Sequence, residues 1–129
     1  MIKNIVVSGG GLRGLYYIGV IKYLEEKNLL LGIKNYCGTS VGTICCLLMI
    51  LEYKYDELID IFKLFDVKNL KEMDLLNVMN NFSLFSNNKI KKLVYLFIKN
   101  KLNINKISLK ELFVKTQKVF HIVTINIET

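Results

Sequence analysis

Two short segments of this sequence combine glycines with residues that are able to take part in a reaction. Near the N terminus, "SGGGLRG" carries Gly9, Gly11 and Gly14 in the spacing G-x-G-x-x-G. Further on, "GTSVG" surrounds Ser40 with glycine. Glycine at such positions lets another group approach the backbone closely, and otherwise it only lowers stability. The two segments therefore suggest either a nucleotide phosphate or an oxygen atom that becomes negative during a reaction.

The first segment taken alone fits a dinucleotide-binding loop, which has this spacing between a strand and a helix. That interpretation also requires an acidic residue at the end of the second strand, where the sequence has Asn35, Tyr36 and Cys37. A mononucleotide phosphate loop requires Lys and then Ser or Thr after its last glycine, whereas Leu15 follows Gly14 here. A nucleotide-binding module is thus the weaker alternative.

The second segment has the G-x-S-x-G pattern of a nucleophile elbow, in which a strand turns sharply into a helix. Ser40 would project its hydroxyl above the sheet, where the first amides of the helix favour negative charge. In a right-handed β-α-β unit both loops open at the same edge of the sheet. The glycine loop would then face Ser40, and its N–H groups would hold a tetrahedral oxyanion. Together the two motifs predict acyl transfer by Ser40.

The elements around these motifs alternate between strand and helix. Strands are predicted at 2–7, 33–37 and 120–127, and helices at 12–28, 41–53, 56–65, 89–101 and 108–118. Asp56 is expected to cap the third helix, and Ser108 with Glu111 has the pattern of a capping box. Residues 66–88 are rich in Asn and ambiguous. The alternation predicts one α/β domain, a three-layer sandwich with a mainly parallel sheet and helices on both faces.

At the two motifs the chain resembles the patatin-like phospholipase family. That family has a G-G-G-x-R-G loop after its first strand, then a helix with a Gly-Val pair, then a G-x-S-x-G elbow. Residues 9–14, 19–20 and 38–42 match these features in order and spacing, and "HIVTINIET" resembles the family's third-strand segment. The resemblance implies a patatin-like fold across residues 1–129. It also implies hydrolysis of a fatty acyl ester in a phospholipid or a neutral lipid.

The resemblance further implies a role for each motif residue. Ser40 would be the nucleophile, in an elbow that includes Gly38, Thr39 and Gly42. The oxyanion hole would draw on the loop and on the amide after the nucleophile: Gly9, Gly10, Gly11, Arg13, Gly14 and Val41. Arg13 is the single arginine among 18 basic residues, and its planar guanidinium offers donors that lysine cannot reproduce. No metal and no organic cofactor is implied.

The sequence departs from the family at the general base. Members of the family use a Ser–Asp dyad whose aspartate belongs to an Asp-Gly-Gly or Asp-Gly-Ala loop after the third strand, and this sequence has no Asp-Gly pair. Four aspartates precede that strand: Asp56, Asp60, Asp66 and Asp74. His121, the only histidine, is expected to be structural, at the start of the third strand and at the opposite edge from Ser40. We therefore expect a truncated patatin-like domain, with an inactive, lipid-associated remnant as the alternative to a working hydrolase.

Charge and hydropathy limit the partners. The net charge is +7, and residues 89–129 hold nine lysines against two glutamates, which suits anionic lipid headgroups. The competing explanation is the heavy Lys, Asn and Ile usage of an AT-rich genome, with the helix at 89–101 covering the core and exposing its lysines to solvent. Nucleic acid is not expected, because no nucleic-acid motif accompanies the lysines. The longest apolar run, 44–51, is too short for a membrane span, and no secretory signal is recognisable. We expect an intracellular, cytoplasmic protein that associates peripherally with a membrane or lipid droplet, and that self-associates through an exposed sheet edge.

Overall fold

The computed structural model describes residues 2–64 and 87–125. Along the chain the elements are β1 (Asn4–Val7), α1 (Tyr17–Glu26), β2 (Asn35–Thr39), α2 (Val41–Ile50), α3 (Tyr55–Leu64), α4 (Asn87–Leu102), α5 (Leu109–Thr116) and β3 (Val119–Val123). A 3-10 helix, Gly11–Tyr16, joins β1 to α1. Strands and helices alternate, so the predicted α/β class is confirmed.

The chain divides into two compact units. The first comprises Met1–Tyr55 and Ile107–Thr129, and it contains the sheet with α1, α2 and α5. The second comprises Asp56–Lys106 and contains α4 and α3 from Asp56 onward. Both sequence motifs belong to the first unit.

The sheet of the first unit is parallel, with β2 at its centre. Val7 of β1 pairs with Gly38 of β2, and Gly38 pairs with Ile122 of β3. Because β1 and β2 are parallel neighbours in this register, their carboxyl ends meet at the same edge of the sheet. The loop after β1 and the turn after β2 therefore begin side by side, as the sequence predicts.

Helix α2 contacts all three strands and supplies much of the core. Besides Gly42, its buried residues form one continuous run: Cys45, Cys46, Leu47, Leu48, Met49 and Ile50. A helix that is apolar on every side is stable only when it is enclosed. Burial raises the pKa of the Cys45 thiol to about 11 and that of the Cys46 thiol to about 12, so both thiols stay protonated at neutral pH.

Two contacts secure the C-terminal end of α2. At its C terminus the Lys118 ammonium donates to the Ile50 carbonyl at 3.1 Å and to the Glu52 carboxylate at 2.8 Å. The Lys118 side chain is only 15% exposed. A cation at a helix C terminus satisfies free carbonyls and complements the helix dipole. Lys118 precedes β3 directly, so it ties the end of α2 to the start of that strand.

The two faces of the sheet differ in exposure. Val7 and Tyr36 lie on the face that packs against α2, and both are buried. Burial raises the pKa of the Tyr36 hydroxyl to about 12. Strand alternation and register place Val6 and Val123 together on the opposite face, where they are 76% and 52% exposed. Apolar surface is therefore accessible on this face within the described part of the chain.

Several predicted element boundaries need correction. The helix predicted from residue 12 begins as the 3-10 helix, and α1 starts only at Tyr17. Strand β2 lies two residues later than predicted and reaches Thr39, so Ser40 follows it directly. Helix α2 ends at Ile50, three residues before the predicted end, and β3 covers Val119–Val123 in place of 120–127. Residues 126–129 lie outside the described residues. These ends depend on strand pairing, which periodicity does not report.

Of the two predicted helix caps, one is confirmed and the other is wrong. Ser108 accepts a hydrogen bond from the Glu111 N–H at 3.2 Å, and the Glu111 carboxylate accepts one from the Ser108 N–H at 2.8 Å, which confirms the capping box of α5. Asp56 is not a cap, because α3 begins one residue earlier, at Tyr55. It lies in the first turn, where a carboxylate favours the helix through its dipole. Of the ambiguous segment 66–88, only the last two residues are described, as the start of α4.

The second unit holds the lysine-rich helix α4. Leu58 of α3 and Phe97 of α4 are fully buried, and the Lys101 ammonium lies 2.7 Å from the Glu57 carboxylate. Lys91, Lys92 and Lys99 are exposed on α4. Across residues 2–64 and 87–125, no helix has both the length and the hydropathy that spanning a bilayer requires.

Candidate active site

Ser40 sits in a backbone conformation that few residues adopt. Its φ is 52° and its ψ is −126°, at the junction of β2 and α2. For a residue with a side chain, such a conformation costs on the order of 1–3 kcal/mol and persists only where the surroundings enforce it. This is the sharp strand-to-helix turn that a nucleophile elbow needs.

The Ser40 hydroxyl is left available by this turn. Ser40 occupies the N-cap position of α2, where serine usually accepts a hydrogen bond from the helix, yet its side chain accepts none. The Thr43 N–H instead donates to the Ser40 carbonyl at 2.9 Å. The residue is exposed, and within the described residues its hydroxyl makes no hydrogen bond. A free hydroxyl lies at the carboxyl edge of the sheet, just before the amides of α2.

The elbow glycines are required by close backbone packing. A Cβ at Gly38 would lie 2.5 Å from the Thr43 Cα. A Cβ at Gly42 would overlap the Val7 carbonyl oxygen and lie 2.6 Å from the Ser8 carbonyl oxygen. Backbone atoms cannot rotate away as the end of a side chain can. Glycine at both positions therefore lets α2 start directly against the end of β1.

The glycine loop lies against the elbow at two points. A Cβ at Gly9 would lie 3.2 Å from the Ser40 Cβ and 3.9 Å from the Ser40 Oγ. A Cβ at Gly14 would overlap the side chain of Val41. The glycine loop thus faces Ser40 as expected, and the structure adds the individual contacts: Gly9 lies beside Ser40, and Gly14 lies beside Val41.

The middle of the glycine loop borders open space. A Cβ at Gly10 would have Arg13 Cβ, 3.6 Å away, as its nearest contact, and one at Gly11 would meet nothing within 4 Å. Gly11 has φ +56°, which glycine adopts without strain. The Gly10 carbonyl accepts a hydrogen bond from the Arg13 N–H at 3.1 Å. The loop is held in a defined shape while its outer side stays accessible.

The family of the chain follows from comparison with known proteins. The family model described as patatin-like phospholipase matches residues 5–128, nearly the whole chain. The chain belongs to the patatin-like phospholipase family.

Relatives of this patatin-like chain occur in large viruses. A protein of Invertebrate iridescent virus 6 named "Probable lipid hydrolase" is 31% identical over 97% of this chain and 43% of its own length. Two uncharacterised proteins of Acanthamoeba polyphaga mimivirus are 27% and 31% identical, over 98% and 80% of this chain and 42% and 29% of their own lengths. The chain therefore spans less than half the length of these curated relatives. No solved structure matches the chain significantly.

Arg13 of the patatin-like loop is exposed in the last turn of the 3-10 helix. Among residues 2–64 and 87–125, no carboxylate or carbonyl pairs with its guanidinium. A guanidinium presents five donors in one plane, a geometry suited to carboxylate or phosphate. The Arg13 guanidinium is therefore able to bind an anion close to Gly10.

In the described part of the patatin-like chain, no candidate general base forms a hydrogen bond with Ser40. His121 is the central residue of β3 and pairs with Cys37, so the expectation that it starts the strand is wrong. It is exposed, and no hydrogen bond connects it to Ser40. Asp56 and Asp60 belong to α3 of the second unit, and Asp66 and Asp74 lie outside the described residues.

Sequence reasoning missed Tyr17. Its hydroxyl donates to the Ser8 carbonyl at 3.2 Å and lies 3.2 Å from the Ser8 hydroxyl. Ser8 directly precedes the glycine loop, and Tyr17 is the first residue of α1. No spacing rule marks a tyrosine that reaches back nine residues to a backbone carbonyl, so only the folded chain reveals this contact.

Proposed function

We propose that the chain carries the nucleophile and the oxyanion loop of a serine-dependent lipid acyl hydrolase of the patatin type. The observation that carries the proposal is the strained, exposed Ser40, whose hydroxyl is free beside Gly9. Strain of this kind concentrates at functional sites, because surrounding structure must maintain it. The family membership and the iridescent-virus relative's name support the same chemistry.

The proposed reaction starts at the Ser40 Oγ. It attacks the carbonyl carbon of an acyl ester, forms a tetrahedral intermediate and expels the alcohol, and water then releases the fatty acid. N–H groups of the glycine loop and of Val41 stabilise the negative oxygen. Arg13 lies beside this loop and holds an anionic group of the substrate. No metal ion takes part in this scheme.

The step that the described residues do not provide is removal of the serine proton. General-base assistance is typically worth about 10²–10⁴ in rate. The family's Asp-Gly loop is not in this sequence, so we propose that residues 1–129 alone give only trace turnover. An inactive, lipid-associated remnant is the second candidate, and the missing Asp-Gly pair is the observation that favours it.

A lipid surface is the proposed location of the substrate. Beyond the glycine loop, Tyr16, Val20 and Tyr23 share one side of the 3-10 helix and α1, and they are 79%, 46% and 55% exposed. Tyrosine suits the boundary between headgroups and acyl chains, since its ring is apolar and its hydroxyl is wet. This side starts next to the loop that would receive the ester, which supports peripheral association with a membrane or lipid droplet.

The experiment that tests the proposal adds a candidate base. A chimaera would join this chain to the part of the iridescent-virus relative that follows the matched region. We expect a fluorophosphonate probe to label Ser40 in the chimaera, and short-chain ester turnover to exceed that of residues 1–129 by at least about 10². The matched control is the same chimaera with Ser40→Ala, which should give neither labelling nor turnover.

Three outcomes would each contradict a different part of the proposal. Labelling that persists unchanged in the Ser40→Ala chimaera would remove Ser40 as the nucleophile. Fast, Ser40-dependent turnover by residues 1–129 would show that the base is already present, and His121 and the four aspartates would then be replaced one by one. A melting temperature that rises with ATP or NAD would favour the nucleotide-binding alternative.

A further inference from the structure

Tyr17 makes a contact between α1 and the start of the glycine loop. Its hydroxyl donates to the Ser8 carbonyl at 3.2 Å, and the Ser8 hydroxyl, also 3.2 Å away, completes the pair. The Tyr17 ring is half-buried, whereas Ser8 and Gly9 are exposed. A group anchored in α1 therefore holds a backbone carbonyl at the edge of the proposed active site.

The Ser8 carbonyl is also confined from the side of the elbow. A Cβ at Gly42 would lie 2.6 Å from this oxygen, so the first turn of α2 packs directly on it. This packing limits the position of the carbonyl oxygen, but packing alone does little to fix the direction of the C=O bond. A hydrogen bond adds the directional part, because it weakens steeply as donor and acceptor lose alignment.

The orientation of this carbonyl determines the orientation of the next amide. The Ser8 C=O and the Gly9 N–H belong to one planar peptide unit, and in a trans peptide they point in opposite directions. Gly9 is the loop residue that lies against Ser40, with its Cβ position 3.9 Å from the Ser40 Oγ. A hydrogen bond to the Ser8 carbonyl therefore sets the direction of the N–H of Gly9, the loop residue that lies against the proposed nucleophile.

We propose that Tyr17 is a positioning residue that orients the Gly9 N–H for the oxyanion formed by Ser40. The inference rests on the proposed function and adds to it a residue that touches neither the substrate nor the nucleophile. Donors contribute most to catalysis when they are aligned before the reaction begins. Without the Tyr17 hydroxyl, the Ser8–Gly9 peptide would rotate more freely, and each reaction would have to restore its alignment.

Tyr17→Phe is the appropriate variant, because it removes one oxygen and keeps the ring. The matched control is Tyr95→Phe, since Tyr95 belongs to the second unit and its hydroxyl makes no hydrogen bond in the described residues. The first measurement is the 15N NMR order parameter of the Gly9 amide in the 129-residue chain, which reports how freely that N–H changes direction. We expect Tyr17→Phe to lower it from about 0.85, typical of rigid backbone, to below about 0.6, typical of flexible backbone. Tyr95→Phe should leave it unchanged.

The second measurement is the reaction of Ser40 with a fluorophosphonate in the chimaera described above. The maximal inactivation rate should fall about 3- to 10-fold in Tyr17→Phe, with the probe's half-saturation concentration and the melting temperature close to those of Tyr95→Phe. A purely structural role would lower the melting temperature and leave the maximal rate of the folded fraction unchanged.

The two measurements separate the inference from the proposed function. An unchanged Gly9 order parameter in folded Tyr17→Phe would overturn the inference, whatever Ser40 does. A lower order parameter with an unchanged maximal rate would also overturn it, and Ser40 would remain the nucleophile. If Tyr17→Phe does not fold, Ser8→Ala replaces it: the bond from Tyr17 to the carbonyl of residue 8 persists there, so the order parameter and the maximal rate should match the wild type, and a fall in either would overturn the inference. Labelling that is independent of Ser40 would overturn the proposed function, while the order parameter would still measure the role of Tyr17 in orienting Gly9.

Discussion

The glycines of the elbow and those of the loop after β1 face different surroundings. At Gly38 and Gly42 an added Cβ would run into backbone atoms of the same unit. At Gly10 and Gly11 an added Cβ would find open space or an ordinary contact. Packing inside the protein explains the elbow glycines and does not explain those in the middle of the loop. The loop glycines instead leave backbone N–H groups accessible to a molecule from outside.

The two regions also differ in the type of residue that has a positive φ angle. In the loop it falls on Gly11, at φ +56°, where glycine carries no strain. In the elbow it falls on Ser40, a residue with a side chain. A glycine at that position would relieve the strain, so the serine is retained there at a cost in stability. Packing explains the elbow glycines, and under the proposed function Ser40 and the loop glycines would serve the chemistry.

The largest expected effect tests the elbow packing. Gly42→Val should abolish cooperative folding, because its side chain would displace the Val7 and Ser8 carbonyls, and overpacking against backbone exceeds the roughly 1–3 kcal/mol typical of cores. Gly38→Val should behave in the same way. Circular dichroism during thermal denaturation measures this loss.

The control for that experiment is a glycine with space around it. Gly19 lies inside α1 with nothing within 4 Å of its Cβ position, so Gly19→Ala should stabilise the chain by roughly 0.5–1 kcal/mol. A melting temperature of Gly42→Val equal to that of the wild type would show that α2 does not start against β1.

Arg13→Lys tests the anion-binding side of the loop. The substitution keeps the charge but removes the planar set of donors, so kcat of the chimaera on an ester substrate should fall by about 10-fold or more. The melting temperature should stay within about 1 °C of the wild type, because a change of 1 kcal/mol moves it by about 2–8 °C and Arg13 has no partner among the described residues. Equal kcat for lysine and arginine would mean that only charge matters there.

Ser40→Gly tests the strain in the elbow. Glycine adopts φ 52° readily, so Ser40→Gly should be more stable than Ser40→Ala by about 1 kcal/mol or more, although neither variant reacts with a fluorophosphonate. Chemical denaturation of the two variants, compared at equal protein concentration, gives this difference. Equal stabilities would indicate that the Ser40 backbone relaxes when the hydroxyl is removed.

Raising the pH tests the core beneath the elbow. The pKa values of Cys45, Cys46 and Tyr36 are raised to about 11, 12 and 12 by burial, from ordinary values of 9.0 for the thiols and 10.0 for the phenol. The folded state holds these protons more tightly than the unfolded state, so their contribution is complete below about pH 9 and is lost as pH rises towards 11–12. Urea midpoints at pH 7, 9 and 10.5 measure the loss. A midpoint that stays constant to pH 10.5 would mean that these groups are not enclosed.

Much of the fold could be predicted because the signals are local. The capping box needs only Ser108 and Glu111 three residues apart, and the alternation of strand and helix depends on apolar patterning along short segments. The ends of elements were predicted less well. Strand β2 reaches Thr39, and α3 begins before Asp56, because pairing between strands and packing of helices decide where an element ends.

The sequence by itself determined which residues are able to form the proposed site, since the two glycine motifs and Ser40 are visible in the residue types and their spacing. Only the tertiary structure decided that Gly9 lies beside Ser40, that Gly14 lies beside Val41, and that Tyr17 holds the Ser8 carbonyl. The physical reason is that each of these contacts joins segments that come together only when β1 and β2 pair in parallel and α2 packs against them. Residue type sets what a group can do, and the parallel pairing sets which groups meet.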